Sequence, residues 1–212
     1  MAPQGATETG SGLGPELEEV KRDLRASVRR KLAQITEQQR EGWSSALCAR
    51  VAKLPSLWTG RPVMVFAGLE TEPDLSPLVI GLRAREIPVA VPRVDWAASG
   101  MVPALVEDLD VSLVSGEHGL RVPPASAEAV DPSELGAILV PALAYDEGMA
   151  RLGRGGGFYD RFLALERVTA EPIGIAFEMQ VVGRVPTASH DRAVSTVVTE
   201  QRVIEPERPD DA

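Results

Sequence analysis

Residues Val140 to Phe162 read VPALAYDEGMARLGRGGGFYDRF. The apolar run Ala137-Ile138-Leu139-Val140 leads into this stretch, and a helix-like run, Phe158 to Leu165, closes it. Between them stand Arg151, Gly153, Arg154, the successive glycines Gly155, Gly156 and Gly157, and then Asp160. The pattern predicts a strand, a glycine-rich loop carrying two arginines, and a helix start. Glycines let backbone N–H groups turn toward an anion. A helix N-terminus adds partial positive charge, and arginines add forked donors. Such a loop suits a polyphosphate. A flexible connector has similar composition, but connectors do not usually join two core elements. The phosphate-loop motif G-x-x-x-x-G-K-[ST] is absent, and the dinucleotide fingerprint is met only in part.

Around this stretch, 212 residues give room for one sizeable core. A net charge of −9 argues against a nucleic-acid partner, although local clusters can still bind an anionic substrate. A single cysteine, Cys48, excludes a disulfide framework. No apolar run reaches membrane-spanning length. The opening MAPQGATETGSGLG lacks the features of a signal peptide, so a cytoplasmic protein is expected. Residues 1–14 and 205–212 read as disordered tails around one domain, 15–204.

Pro15 to Ile35 is expected to be a helix with Leu17, Leu24, Val28, Leu32 and Ile35 as its apolar stripe. Lys21, Arg25 and Arg29 recur at every fourth residue and share a face, which is either a solvated basic face or an anion-binding edge. Thr36 with Gln39 forms a capping box for a second helix, whose stripe is Trp43, Leu47, Val51 and Leu54. Cys48 beside it reads as a packed thiol. Pro62–Gly68 and Ile87–Val94 read as buried strands, with a helix capped by Asp74 between them. Met101–Val106, Pro172–Phe177 and Thr196–Thr199 read as further strands. Asp131 with Glu134 caps a short turn. The whole is an α/β fold: a single domain with an open, mostly parallel sheet flanked by helices. Ligands in such sheets sit at the carboxyl ends of the strands.

Three acids, Glu70, Glu72 and Asp74, follow the first strand. Asp74 is explained as a cap, and Glu72 is either a pocket carboxylate or a solvated loop acid. His118 reads as solvated, Trp43, Trp58 and Trp96 as packing residues. His190 and Asp191 precede the last strand, where the carboxylate reaches the site or caps a turn.

Several ordered pieces together resemble the 5-formyltetrahydrofolate cyclo-ligase (5,10-methenyltetrahydrofolate synthetase) family. Arg151 to Phe162 is similar to its signature loop, and Lys21-Arg22-Asp23-Leu24-Arg25 to its N-terminal K-x-x-L-R. Glu72 and Pro92-Arg93-Val94 stand where the family has a glutamate and a strand end. Val140 to Asp146 resembles its V-P-G-x-x-F-D run, with Tyr145 for Phe. Ala176-Phe177 with Gln180, and His190-Asp191 with Val197-Val198-Thr199-Glu200, resemble its closing motifs. The likeness runs from about Val20 to Glu200.

The resemblance implies an enzyme that converts 5-formyltetrahydrofolate to 5,10-methenyltetrahydrofolate, using ATP and Mg²⁺ and passing through a phosphorylated formyl group. ATP would be bound by Lys21, Arg22, Asp23, Leu24 and Arg25 and by Arg151, Leu152, Gly153, Arg154, Gly155, Gly156, Gly157, Phe158 and Tyr159. The folate would meet Arg25, Ala67 and Glu72 and the loop from Arg154 to Phe158. Asp160 and Asp191 would hold Mg²⁺, and Arg151, Arg154 and Asp160 would act in catalysis. A monomer is expected, with no membrane or nucleic-acid partner. Three departures stand out: Gly156 where many members carry lysine, Phe158 for tyrosine, and Ser195 where a second Asp often follows. The rival readings are an ATP-dependent relative acting on another N-formyl or carbonyl substrate, and a non-catalytic nucleotide-binding module.

Overall fold

The computed structural model describes residues 15–206, with the His118 side chain excepted. The expected tails therefore lie outside the described residues, apart from Glu205 and Pro206. Helix α1 (Pro15–Leu32) places Glu16 and Glu18 in its first turn and Arg29, Arg30 and Lys31 in its last, each complementing the helix dipole. It stops before Ile35, short of the range expected from its stripe. Helix α2 (Glu37–Val51) opens on the expected box: the Thr36 side chain accepts from the Gln39 N–H and the Gln39 side chain accepts from the Thr36 N–H.

Strand β1 (Val63–Met64), helix α3 (Ser76–Arg83) and strand β2 (Val89–Asp95) make the expected parallel β-α-β unit, with Val63 beside Val89. Asp74 accepts from the Ser76 N–H and hydroxyl, one position ahead of the N-cap Leu75. Strand β3 (Gly100–Val106) returns antiparallel along β2, which the mostly parallel reading did not assign. Two short strands follow, β4 (Val114–Ser115) and β5 (Arg121–Val122), forming their own pair. Strand β6 (Ala137–Pro141) lies parallel to β1 on its other side.

The chain does not pass straight from β6 into the glycine loop as the sequence suggested. A small hairpin intervenes, β7 (Ala144–Tyr145) with β8 (Arg151–Leu152). Helix α4 (Phe158–Leu163), strand β9 (Glu171–Ile175), strand β10 (Thr196–Val198) and the antiparallel strand β11 (Val203–Ile204) complete the chain. The main sheet runs β11-β10-β9-β6-β1-β2-β3, five central parallel strands with an antiparallel strand at each edge.

Alternation splits each strand between two core layers. Val63, Val65, Leu139 and Val198 pack with Leu47, Val51 and Leu82 of α2 and α3. Met64, Ile138, Val140 and Val197 face the other side with Tyr145 and Phe162. A third cluster joins Val28 and Leu32 of α1 to Leu143, Leu152 and Phe177, and so docks α1 on the hairpin. Asp146 fixes that hairpin: Oδ1 accepts from the Ala150 N–H and Oδ2 from the Val185 N–H. Gln180 Nε2 donates to the carbonyls of Ala142 and Leu143 while its Oε1 accepts from the Phe177 N–H. The Tyr145 hydroxyl donates to the Val140 carbonyl at 2.6 Å. Its ring lies so close to Gly174 that a Cβ there would sit 2.7 Å from Tyr145 Cε1.

Cys48 is a packed thiol, as expected: it is buried and donates to the Asp74 carbonyl. Burial pushes the thiol up to about 11. The folded value exceeds the usual one of about 8.5, so the stability from burying a neutral thiol is complete below the usual value. It is lost as pH rises through about 11. Titration with a thiol reagent near pH 8, about the usual thiol pKa, should find no reaction in the native protein and full reaction in denaturant. Rapid native labelling would contradict the packing described.

Candidate functional site

The carboxyl ends of β1, β2 and β6 open into a cavity of about 1180 Å³, closed by α1 on one side and the glycine loop on another. This is the position expected of a ligand crevice in such a sheet. Its walls differ in character. Lys21, Arg25 and Arg29 of α1 and Arg151 and Arg154 of the loop form a cationic wall. Val91, Pro92, Val94, Trp96 and Met101 of the β2–β3 hairpin form an apolar one. Glu72, in the turn after β1, also lines the cavity.

Three ion pairs hold these walls together. Lys21 Nζ donates to Asp191 Oδ2 at 2.6 Å. Arg151 Nη2 donates to Asp160 Oδ1 at 2.5 Å. Arg154 donates to Glu72 Oε1 from Nε at 3.0 Å and from Nη2 at 2.6 Å. Lys21, Arg151 and Glu72 are all buried, which is rare for charges unless they are paired. The face of Lys21 is therefore no solvated helix face: the third cluster docks α1 and carries Lys21 inward. Burial acts to raise the Asp191 carboxyl, but the bonds from Lys21 and the Ala188 N–H outweigh it and hold it below the usual carboxylate range. Arg25 ties α1 to the loop, its Nε donating to the Gly153 carbonyl at 3.1 Å.

The loop itself needs its glycines. Gly155 and Gly157 have φ of +109° and +67°, values costly for residues with a Cβ. A Cβ on Gly156 would lie 2.9 Å from the Phe158 ring. Phe158 meets the edge of Trp96 at 4.9 Å between ring centroids, and the Arg161 guanidinium lies over the Phe158 ring. Arg161 also donates to the carbonyls of Ser99 and Gly156. The loop is thus bound to the β2–β3 turn. Helix α4 starts after the glycines as expected but has only six residues, so its dipole is small beside the charges of the side-chain cations.

Among the described residues, two buried side-chain polar atoms have no hydrogen-bond partner, Arg151 Nε and the Tyr159 hydroxyl. Burial raises the Tyr159 phenol well above its usual value, so it remains a donor at neutral pH. Both residues line the cavity, although these two atoms are themselves buried.

Of the residues expected at the site, Lys21, Arg25, Ala67, Glu72, Arg151 to Asp160 and Asp191 are brought to the cavity. Arg22 and Asp23 are not: both are exposed, and Arg22 pairs with Glu19 and Asp23 on the outer face of α1. Leu24 packs into the third cluster. Glu70 is exposed, and Ser195 uses its N–H on the Pro172 carbonyl. Trp96, Arg161 and Arg192 line the cavity without having been anticipated as site residues. Arg161 stands inside the signature stretch and Arg192 directly after His190-Asp191, so adjacency to those motifs was an available signal. Trp43 and Trp58 are packing residues as read: Trp43 meets Phe177 edge-on, and Trp58 Nε1 donates to the Ala52 carbonyl.

Asp160 and Asp191 adjoin, because the Arg192 N–H donates to Asp160 Oδ1 at 3.1 Å. Asp160 Oδ2 and Asp191 Oδ1 accept no hydrogen bond from the described residues. No group of three His, Cys, Asp or Glu suited to a metal occurs among the described residues. The donor set fits a hard cation that takes one or two carboxylates and completes its shell with phosphate and water.

The family model described as the 5-formyltetrahydrofolate cyclo-ligase family matches residues 17–200. The chain belongs to this family. A 5-formyltetrahydrofolate cyclo-ligase of Mycolicibacterium smegmatis is 34% identical over 190 residues, 87% of this chain and 95% of the relative. That of Escherichia coli is 28% identical, covering 84% and 99%. The solved structure of Aquifex aeolicus 5,10-methenyltetrahydrofolate synthetase superposes with a TM-score of 0.78 at 28% identity, covering 91% of this chain and 96% of that one. A synthetase from Mycoplasma pneumoniae shares the fold, with a TM-score of 0.68 at 17% identity.

The geometry separates two neighbours on α1. Lys21→Met should raise the KM for ATP by about tenfold or more, since a hydrogen bond to a charged group contributes about 1.5–3 kcal/mol. Arg22→Met, on the exposed outer face, should leave it within about twofold, as surface changes are usually small. Steady-state kinetics on both variants, with thermal melts as a folding control, check this. Equal effects would contradict the placement of α1.

Proposed function

We propose that this protein is a 5-formyltetrahydrofolate cyclo-ligase that uses ATP to form 5,10-methenyltetrahydrofolate, with release of ADP and phosphate. The observation that carries the reading is the single cavity in which a cationic loop and helix face an apolar, aromatic wall, with Glu72 between them. One wall suits a triphosphate and the other a flat heterocycle whose ring and amino N–H groups need a carboxylate acceptor.

The chemistry explains the residue types. A formyl oxygen on nitrogen is a poor leaving group. Its attack on the γ-phosphorus of ATP forms a new P–O bond and expels ADP. N10 then attacks the formyl carbon, the C–O bond breaks, and the oxygen departs with the phosphate; N10 loses its proton. Phosphoryl transfer depends mostly on positioning and charge neutralisation. Lys21, Arg25, Arg151 and Arg154 hold the phosphate oxygens, with the amides of Gly155 to Gly157 closing around them. The Arg151 Nε and Tyr159 donors, unmatched within the protein, meet acceptors on the ligands. Glu72 takes the pterin N–H groups, and the ring lies beside Phe158 and Trp96. Asp160 and Asp191 would hold Mg²⁺, which supplies charge neutralisation at the phosphates.

The test is a spectrophotometric assay of methenyl-folate formation from 5-formyltetrahydrofolate. Product should appear only with ATP and Mg²⁺ together. Glu72→Gln should weaken folate binding, measured with nucleotide bound, by about 1.5–3 kcal/mol, a charged hydrogen bond's usual contribution. No product at saturating ATP with active controls would overturn the proposal, and nucleotide binding without turnover would favour a binding module.

A further inference from the structure

Glu72 and Arg154 are each needed by a ligand, yet each is already engaged by the other. The Glu72 side chain is only 7% exposed. Its Oε1 accepts from both Nε and Nη2 of Arg154, and its Oε2 accepts from the Leu69 N–H. Both oxygens are therefore in use, although Glu72 and Arg154 line the same cavity. Arg154 is the more exposed partner. It is 37% exposed and lies between Gly153 and Gly155, in the loop whose backbone is free of side-chain bulk. One guanidinium cannot serve a buried carboxylate and a phosphate with the same donors.

We propose that the Arg154–Glu72 pair is a latch released by the nucleotide, which makes folate binding at Glu72 conditional on a phosphate group that draws Arg154 away. The inference rests on the function proposed above. When Arg154 turns to the phosphates, Glu72 is left charged, buried and without its cation, which is unfavourable. The N–H donors of the pterin then take the place of the guanidinium. Each ligand favours the other without touching the same atoms, and the coupling is reciprocal by thermodynamic necessity. The other cations cannot perform this exchange on Glu72: Lys21 is held by Asp191 and Arg151 by Asp160. The latch also orders the site, because folate binds the carboxylate more weakly before the phosphoryl donor is present.

Calorimetric titration of 5-formyltetrahydrofolate into the full chain, with and without a β,γ-imido analogue of ATP at fixed Mg²⁺, tests the latch. In the wild type the analogue should tighten folate binding by about tenfold or more, within the usual range of such couplings, and folate should tighten the analogue by the same factor. In Arg154→Met the nucleotide effect should fall to within about twofold, and folate should bind better than to the wild type when nucleotide is absent. Arg154→Lys, which keeps charge but loses the fork, should retain part of the coupling and serves if the methionine variant melts early. Folate affinity in the wild type that ignores the nucleotide overturns the latch, as does coupling that survives in Arg154→Met. Turnover measured on the same wild-type preparation separates the two levels. Turnover without coupling removes the latch alone, whereas absence of both turnover and folate binding removes the proposed function and the latch with it.

Discussion

The Lys21–Asp191 ion pair joins residues 170 positions apart, and the cavity depends on it. Lys21 comes from the first helix and Asp191 from the turn before β10. Removing two charges from water is unfavourable unless their geometry and remaining hydrogen bonds are good. Here the carboxylate also takes the Ala188 N–H, and the contact is short. The pair brings one edge of α1 to the switch region of the sheet, and Arg25 then reaches the glycine loop at Gly153. Without this edge the loop would be an exposed turn beside the sheet. With it the loop becomes the wall of an enclosed site.

The same logic extends to Arg151–Asp160 and Arg154–Glu72. Each pair couples a cation suited to phosphate with an acid suited to a metal or a heterocycle. The protein thus stores its ligand-binding charges in mutual compensation. In the proposed reading, phosphate oxygens take over from Glu72 as the partner of Arg154 and pterin N–H donors take over from Arg154 on Glu72.

Much of the sheet was legible because its signals are local. The apolar runs Ala137 to Val140 and Val63 to Val65 mark strands buried on both faces, and the Thr36–Gln39 box is a short-range hydrogen-bond pattern. The glycine loop and its arginines were legible for the same reason. The β7–β8 hairpin was not, because its two strands are two residues each and its Asp146 and backbone are fixed by Val185 and Gln180 from outside the segment. The burial of Lys21 was not legible either, since periodicity shows which residues share a face but not what covers it. Trp96 reaches the site only because the β2–β3 hairpin folds toward α4, a contact set by Arg161 and Phe158. The outward turn of Arg22 and Asp23 shows the converse: a contiguous motif on a helix need not put every member on one face.

Gly156 and Phe158, two of the departures from the family pattern, are adjacent in the structure and explain one another. The Phe158 ring occupies the space a Gly156 side chain would enter, at 2.9 Å from the virtual Cβ, and is sandwiched with Arg161 and Trp96. A lysine at this position would have to displace the ring. The positive charge that such a lysine would give is instead concentrated on Arg151 and Arg154.

The most direct test of this account is a crystal structure of the protein with a β,γ-imido ATP analogue, Mg²⁺ and 5-formyltetrahydrofolate bound together. The account predicts the triphosphate between α1 and residues 153–157, in contact with Lys21, Arg151 and Arg154, and the pterin on the Glu72 carboxylate beside Phe158 and Trp96. A nucleotide bound elsewhere, with all three ion pairs intact and Glu72 still covered by Arg154, would contradict it.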